Sequence, residues 1–211
     1  MSVLSLDTAG PDPSVAVLSG GRIFEEILPA GGRASEELLP AIERALAAAR
    51  LRLTGCERIA VCAGPGSFTG VRVGLATAWG LGRAVGTPVE AVPTLEAMAE
   101  AARPLGDLRV AAFLDAGRGE IVGALYDLSG ERARALVSPT RMTGADVPRF
   151  AAGAGIVSLP RDLVPQAGRA LPASLAASLA HAVSRSPRAG TELPSAIYAR
   201  PSAAEEKHGP A

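Results

Sequence analysis

The sequence has little of what metal, nucleophile and phosphate chemistry draws on. Its 211 residues include 2 His, 2 Cys and a single Lys, Lys207, with every other basic residue an Arg. His181 and His208 form no His-x-x-x-His pair and join no Cys/His cluster, so neither a zinc nor an iron site is expected. With the only Lys close to the end of the sequence, no Lys-Ser/Thr pair closes a phosphate loop. Cys56 and Cys62 are too few for a disulfide framework, and Cys62, inside an apolar run, reads as a buried thiol in a reducing compartment. Aromatic residues make up 3%. There is no excess of one charge: 21 basic residues balance 21 acidic ones, with net charge −2 over residues 1–105 and +2 over 106–211. That balance argues against an autonomous nucleic-acid binder, which needs surplus cations to displace phosphate counterions. The opening MSVLSLDTAG shows no basic stretch before a long apolar one, so no signal peptide is expected. The least polar stretch, 71–85, is broken by Arg72 and Arg83 and is no membrane span. A cytoplasmic location is the expectation.

What is present in quantity is small: the hydrophobic share of 48% is rich in Ala, beside 24 Gly and 17 Pro. The Ala, Gly and Arg excess reads as GC-rich codon usage, so a single Gly or Arg carries little information here. Patterns carry more. Apolar runs at 3–7, 14–18 and 22–28, with Gly20-Gly21 as a hairpin signal, predict three antiparallel strands. Leu38, Leu39, Ile42, Ala45, Leu46 and Ala49 recur at helical spacing and predict a helix over 35–50, capped by Ser35 with Glu36 and Glu37 in its first turn. A strand at 58–63, a helix at 69–85 and a third helix at 94–102 complete an α/β first half. Residues 103–107 read as a linker. Strands are predicted at 109–115, 121–126, 132–137 and 156–159, with helical segments at 145–150 and 174–184. Both halves open with an apolar strand ending in Asp and a hairpin, which suggests a weak internal duplication. The expected organisation is an α/β lobe over 1–103, a smaller α/β lobe over 107–200 and a frayed tail over 201–211.

The sharpest local signal is Gly64-Pro65-Gly66-Ser67-Phe68-Thr69-Gly70, set between a strand and a helix. It matches neither a Walker loop nor Gly-x-Gly-x-x-Gly. Two readings stand: a tight turn that uses glycine for close packing, or backbone amides at a helix start that hold a phosphate. Gly70, Gly74, Ala78, Gly82 and Gly86 then recur every fourth residue. Such a stripe admits a close helix, either within the chain or across an interface. Asp7-Thr8 and Asp115 close strands and serve either as turn caps or as a site's carboxylates. A serine nucleophile would need a base, and His181, on a predicted helix, is its one candidate.

The loop and the residues after it, Val71-Arg72-Val73-Gly74, resemble the signature of the TsaB (YeaZ) family. Leu4-Ser5-Leu6-Asp7-Thr8-Ala9, Ser35-Glu36-Glu37-Leu38-Leu39-Pro40, Val92-Pro93-Thr94-Leu95-Glu96-Ala97, Leu114-Asp115-Ala116-Gly117-Arg118-Gly119-Glu120-Ile121 and Pro194-Ser195-Ala196-Ile197-Tyr198-Ala199-Arg200 resemble its other blocks, in order. The chain departs from the pattern at Arg33 and Ala34, where His is usual before Ser, at Gly117-Arg118, at Ile121-Val122 and at Ala199. Residues 138–189 match little. The resemblance implies an actin/Hsp70/sugar-kinase-like (ribonuclease H-like) fold of two related α/β lobes, the second divergent. It implies a cytoplasmic subunit of the bacterial machinery that makes N6-threonylcarbamoyladenosine (t6A) at position 37 of ANN-decoding tRNAs. The family's catalytic paralogue, TsaD, holds metal through a His-x-x-x-His motif that this chain lacks. The expected role is therefore a non-catalytic scaffold without cofactor or metal, which binds TsaD, assembles with the ATPase TsaE, and also pairs with itself.

The two helices 35–50 and 69–85 are expected to form the partner face, with Leu38, Ile42, Gly70, Val71, Gly74, Leu75, Ala78 and Gly82 in contact. On this expectation Gly74→Leu weakens association and spares the fold. The alternative is a small-molecule kinase or ATPase of the same fold, with Asp7, Thr8, Gly64, Gly66, Ser67 and Thr69 around a nucleotide. A peptidase, with no ligand cluster or triad, is disfavoured.

Overall fold

The computed structural model describes residues 1–29, 34–160, 163–164, 171, 174–187 and 196–197. The closing motif at 194–200, apart from Ala196 and Ile197, and the tail at 201–211 lie outside the described residues, as do Lys207 and His208.

The three apolar runs at the start form β1 (Val3–Asp7), β2 (Ser14–Ser19) and β3 (Arg22–Ile27), an antiparallel meander. Gly20 and Gly21 supply its second turn with φ of 57° and 77°, the left-handed values that a two-residue hairpin loop requires. α1 (Ala34–Ala48) crosses over to β4 (Arg58–Cys62), which pairs parallel with β1. α2 (Phe68–Val85) leads to β5 (Val89–Val92), parallel to β4. The first sheet therefore runs β3-β2-β1-β4-β5. α3 (Thr94–Ala102) follows, buried along its whole length.

The second half repeats the plan. β6 (Arg109–Gly117), β7 (Glu120–Asp127) and β8 (Arg134–Met142) form another antiparallel meander, and β9 (Gly155–Leu159) pairs parallel with β6. The order β8-β7-β6-β9 copies β3-β2-β1-β4. Between β8 and β9 stands only the short α4 (Val147–Phe150), and α5 (Leu175–Arg185) is the last described helix. Two α/β lobes built around sheets of the same order are what the sequence pointed to.

Helices cover the first sheet on both faces. Strand alternation sends Leu4, Leu6 and Thr8 towards α1 and α2, and Ser5 and Asp7 the other way. Ser5 Oγ donates to the carbonyl of Ala176 on α5 at 2.7 Å, which fixes that second face. α5 thus packs on β1, β2 and β4 of the first sheet, although its sequence position lies in the second lobe. α3 sits between α5 and the second sheet. The main core runs from Val3 through α3 to Val183, and a satellite core around Phe113 and Phe150 fills the far face of the second sheet. Among the described residues no helix is long and apolar enough to cross a membrane.

Candidate functional site: a self-filled glycine loop and an exposed helix face

The segment Gly64–Gly70 is packed against the turn after β1. Ser67 N donates to the carbonyl of Ala9 at 2.9 Å, and Thr8 Oγ1 donates to the carbonyl of Gly70 at 2.6 Å. A methyl group on Gly66 would overlap the Ala9 carbonyl, and one on Gly70 would overlap that of Thr8. Gly64, at φ 95°, lies against the carbonyl of Ile197, whose N–H in turn donates to the carbonyl of Ala63 at 2.7 Å. The α3 start is tied in as well, through Thr94 N to the carbonyl of Gly64 at 2.7 Å. Of the two readings of the loop, the close-packing one fits: the space that glycine leaves beside residues 64, 66 and 70 is filled by the chain's own backbone. Ser67 caps α2 through its side chain, which accepts from Gly70 N at 3.2 Å. Thr69 is exposed.

The small-residue stripe faces the same way, and here the expected contact set needs correcting. Leu38, Ile42, Val71, Gly74, Leu75, Ala78 and Gly82 are buried, and Gly70 is partly buried. Leu38 and Ile42 lie on the face of α1 that covers β2 and β3. A side chain on Gly74 would strike Thr8 Oγ1 and Val61, and one on Gly82 would strike Val89 and the Thr87 carbonyl. The stripe lets α2 lie close on its own sheet, so the seven buried residues of the set are packed inside the chain and do not form its outer surface. Gly74→Leu would damage the fold itself.

The surface of the two helices is made by other residues. On α2 the outer positions are Phe68, Arg72, Ala76, Trp79, Gly80 and Arg83. Arg72 stacks its guanidinium over the Phe68 ring, 3.6 Å from the centroid. On α1 the outer positions include Glu36, Leu39, Pro40 and Glu43. Leu39 is 53% exposed, Phe68 42% and Trp79, the only Trp of the chain, 37%. Leu39, Phe68 and Arg72 stand in the sequence motifs, but neither they nor Trp79 are among the contact residues expected on the partner face. Helical spacing from Phe68 through Arg72, Ala76 and Gly80 was the signal that could have found them. Charge differs between the two helices: α2 carries Arg72 and Arg83 and no acidic residue, while α1 exposes Glu36 and Glu43 beside one Arg, Arg44, which is held by Glu26 of β3 at 2.8 Å.

Asp7 lies beneath the loop on the α5 side and is fully buried. Its Oδ1 accepts the N–H groups of Ala9 at 2.9 Å and Gly10 at 3.2 Å, whereas Oδ2 has no hydrogen-bond partner among the described residues. Burial pushes its pKa from 3.8 to about 6 against the pull of those two amides and the Cys62 thiol, with Asp12 adding to the rise. Burial, and then the Asp7 charge, raise Cys62 well above the usual thiol range. Asp115, the counterpart at the end of β6, is exposed and accepts Gly117 N at 2.7 Å as a turn cap. Exposed His181 sits on α5, and partial burial followed by the Arg185 charge lowers its pKa. No group of three or more His, Cys, Asp or Glu among the described residues is placed to hold a metal ion.

Known proteins share this arrangement. The family model described as TsaD, tRNA N6-adenosine threonylcarbamoyltransferase, matches residues 29–188, well over half of the chain. The tRNA threonylcarbamoyladenosine biosynthesis protein TsaB of Escherichia coli is 34% identical over 66% of this chain and 63% of its own length. The chain belongs to the TsaB family. The TsaB protein of Bacillus subtilis is 29% identical over 60% of this chain and 55% of its own length. The matched stretches thus span about three fifths of these TsaB proteins. The solved structure of YeaZ from Pseudomonas aeruginosa is 29% identical, with a TM-score of 0.77 over 93% of this chain and 99% of that one.

Proposed function

We propose that the protein is a non-catalytic subunit in the synthesis of threonylcarbamoyladenosine on tRNA, and that it works by binding a TsaD-type catalytic paralogue through the outer face of α1 and α2. A TsaE-type ATPase completes the assembly. The observation that carries this reading is the exposed row of Leu39, Phe68 and Trp79 on two adjacent helices of a chain in the TsaB family. Aromatic and Arg side chains dominate binding energy at protein interfaces, and Phe68, Arg72 and Trp79 are of that kind. The division of charge supports a second use of the same face. A two-fold pairing that lays α1 of one copy over α2 of another sets Glu36 and Glu43 against Arg72 and Arg83.

The nucleotide-kinase alternative has less support, because the glycines at 64, 66 and 70 enclose backbone atoms of the chain. The test mixes the protein with TsaD and TsaE from the same organism and follows complex formation and t6A synthesis. Phe68→Ala and Trp79→Ala together are expected to weaken TsaD binding by ~30-fold or more, equivalent to about 2 kcal/mol, with unchanged circular dichroism. Full complex formation by that variant would remove the proposed face. Synthesis of t6A without the chain would remove the role.

A further inference from the structure

The connection between β7 and β8 carries an Arg that the core does not expose. Arg132 is 8% exposed, and it reaches into the first lobe. Its Nε contacts Glu96 Oε1 on α3 at 2.8 Å, and its Nη1 contacts Glu90 on β5 and the Ser186 carbonyl after α5. The next residue, Ala133, donates its N–H to the Glu100 carboxylate on α3. Glu100 also holds Arg103 at 2.9 Å and Arg185 of α5 at 2.6 Å. Arg103 returns to the second lobe, where its Nη1 donates to the Leu128 carbonyl at 2.7 Å, and Arg185 Nε donates to the Glu131 carbonyl at 2.9 Å. One turn of the second sheet is thereby gripped from β5, α3 and α5.

We propose that this buried ion network is an orientation lock between the lobes, holding the two sheets at one mutual angle. An apolar contact can slide by an ångström at small cost. A guanidinium shared among two carboxylates and a carbonyl has one register, and displacing it inside the protein strands buried charge. The lock also reaches the docking side of the molecule. Glu96 lies two residues after Thr94, whose N–H holds Gly64 at the head of the α2 loop. The lock stands independently of the partner assignment, since every group in it lies on the inner side of the first sheet or in the second lobe.

The test uses spin labels on cysteines introduced at two exposed positions, Glu25 on β3 and Ala145 ahead of α4, with the inter-label distance read by electron–electron double resonance. Cys56 and Cys62 are buried, and burial raises both thiols, Cys56 to about 11, so they resist labelling. The unsubstituted background is expected to give one narrow distance peak. A neutral variant, in which uncharged side chains replace the three ions through Glu90→Gln, Glu96→Gln and Arg132→Met, is expected to widen that peak at least twofold while the circular dichroism of the fold remains. Arg132→Lys keeps the charge and loses the planar fork, and is expected to give an intermediate width. A broad or two-peaked distribution in the unsubstituted background would overturn the proposal, whatever the variants do. So would an unchanged peak in Arg132→Lys, or in the neutral variant.

Discussion

The two sheets of this protein are built on one plan and finished differently. In each, an antiparallel meander is joined by a parallel strand on the far side of its first strand, as β3-β2-β1-β4 and β8-β7-β6-β9. The first sheet adds a fifth strand and is covered on both faces, by α1 and α2 outside and by α5 inside. In the second, the crossover that corresponds to the 15-residue α1 is the 4-residue α4, and β8 is exposed along almost its whole length. The Asp that ends the first strand is buried in one lobe, at Asp7, and exposed in the other, at Asp115. The difference teaches that the two lobes share a backbone plan, while the two long covering helices and the buried carboxylate belong to the first lobe alone.

If the second lobe is the thinner one, it should lean heavily on its few large side chains. Phe113 is fully buried, meets Phe150 edge to face at 5.7 Å between centroids, and abuts Gly123 of the neighbouring strand. Phe113→Ala is expected to cost about 4 kcal/mol, measured by urea denaturation. A loss near 1 kcal/mol would mean that the satellite core collapses around the gap and that the lobe is less dependent on this residue than its sparse covering implies.

The first lobe should instead be intolerant of added volume. Gly70→Ala puts a methyl onto the Thr8 carbonyl, a backbone atom that cannot step aside, and is expected to cost about 3 kcal/mol. Gly144 in the second lobe has open space where its Cβ would stand, so Gly144→Ala is expected within about 0.5 kcal/mol of the parent. Equal effects at the two glycines would show that the backbone around Thr8 yields to the added methyl.

The same contrast explains what the sequence showed and what it hid. The meanders, α1, α2, α3 and the duplication were readable because apolar spacing and Gly20-Gly21 report them directly. β5 was not foreseen: it is four residues, Val-Glu-Ala-Val, and a Glu in its middle looks like surface. Buried Glu90 is met there by Arg132, 42 positions later in the chain. No local pattern encodes such a meeting. Glu96 and Glu100 hid the full burial of α3 for the same reason. The glycine stripe was visible, but its direction was not, since spacing alone does not say whether small residues face a sheet or a partner. The structure turns Gly74, Ala78 and Gly82 inward and leaves Phe68, Arg72 and Trp79 outside.

The Asp7–Asp115 contrast has a signature in pH. The ionised form of Asp7 is disfavoured in the fold, so the folded chain takes up a proton near pH 6 that the unfolded chain binds only near 3.8. Stability from this group is therefore fully present below about pH 4, falls as pH rises to about 6, and is level above that, for a total of about 2–3 kcal/mol. Asp7→Asn keeps the acceptor for Ala9 and Gly10 and removes the charge. Relative to the parent, it is expected to gain about 2 kcal/mol between pH 4 and pH 7, read as the difference of two denaturation series. A parent–variant difference that does not change with pH would show that Asp7 is solvated or paired in solution.

The smallest effect sharpens the division of α2 into an inner and an outer side. Gly80 lies on the exposed side, in mid-helix, with nothing within 4 Å of the place its Cβ would occupy. Glycine in a helix interior costs about 0.5–1 kcal/mol relative to alanine, because the unfolded chain has more conformations to lose. Gly80→Ala is therefore expected to stabilise the free protein by about that amount, while the inward Gly70 responds with the opposite sign. Thermal unfolding of the two variants side by side measures both signs at once. A destabilised Gly80→Ala would mean that the outer side of α2 is already covered in the free protein, as it would be in a dimer packed closely through this face.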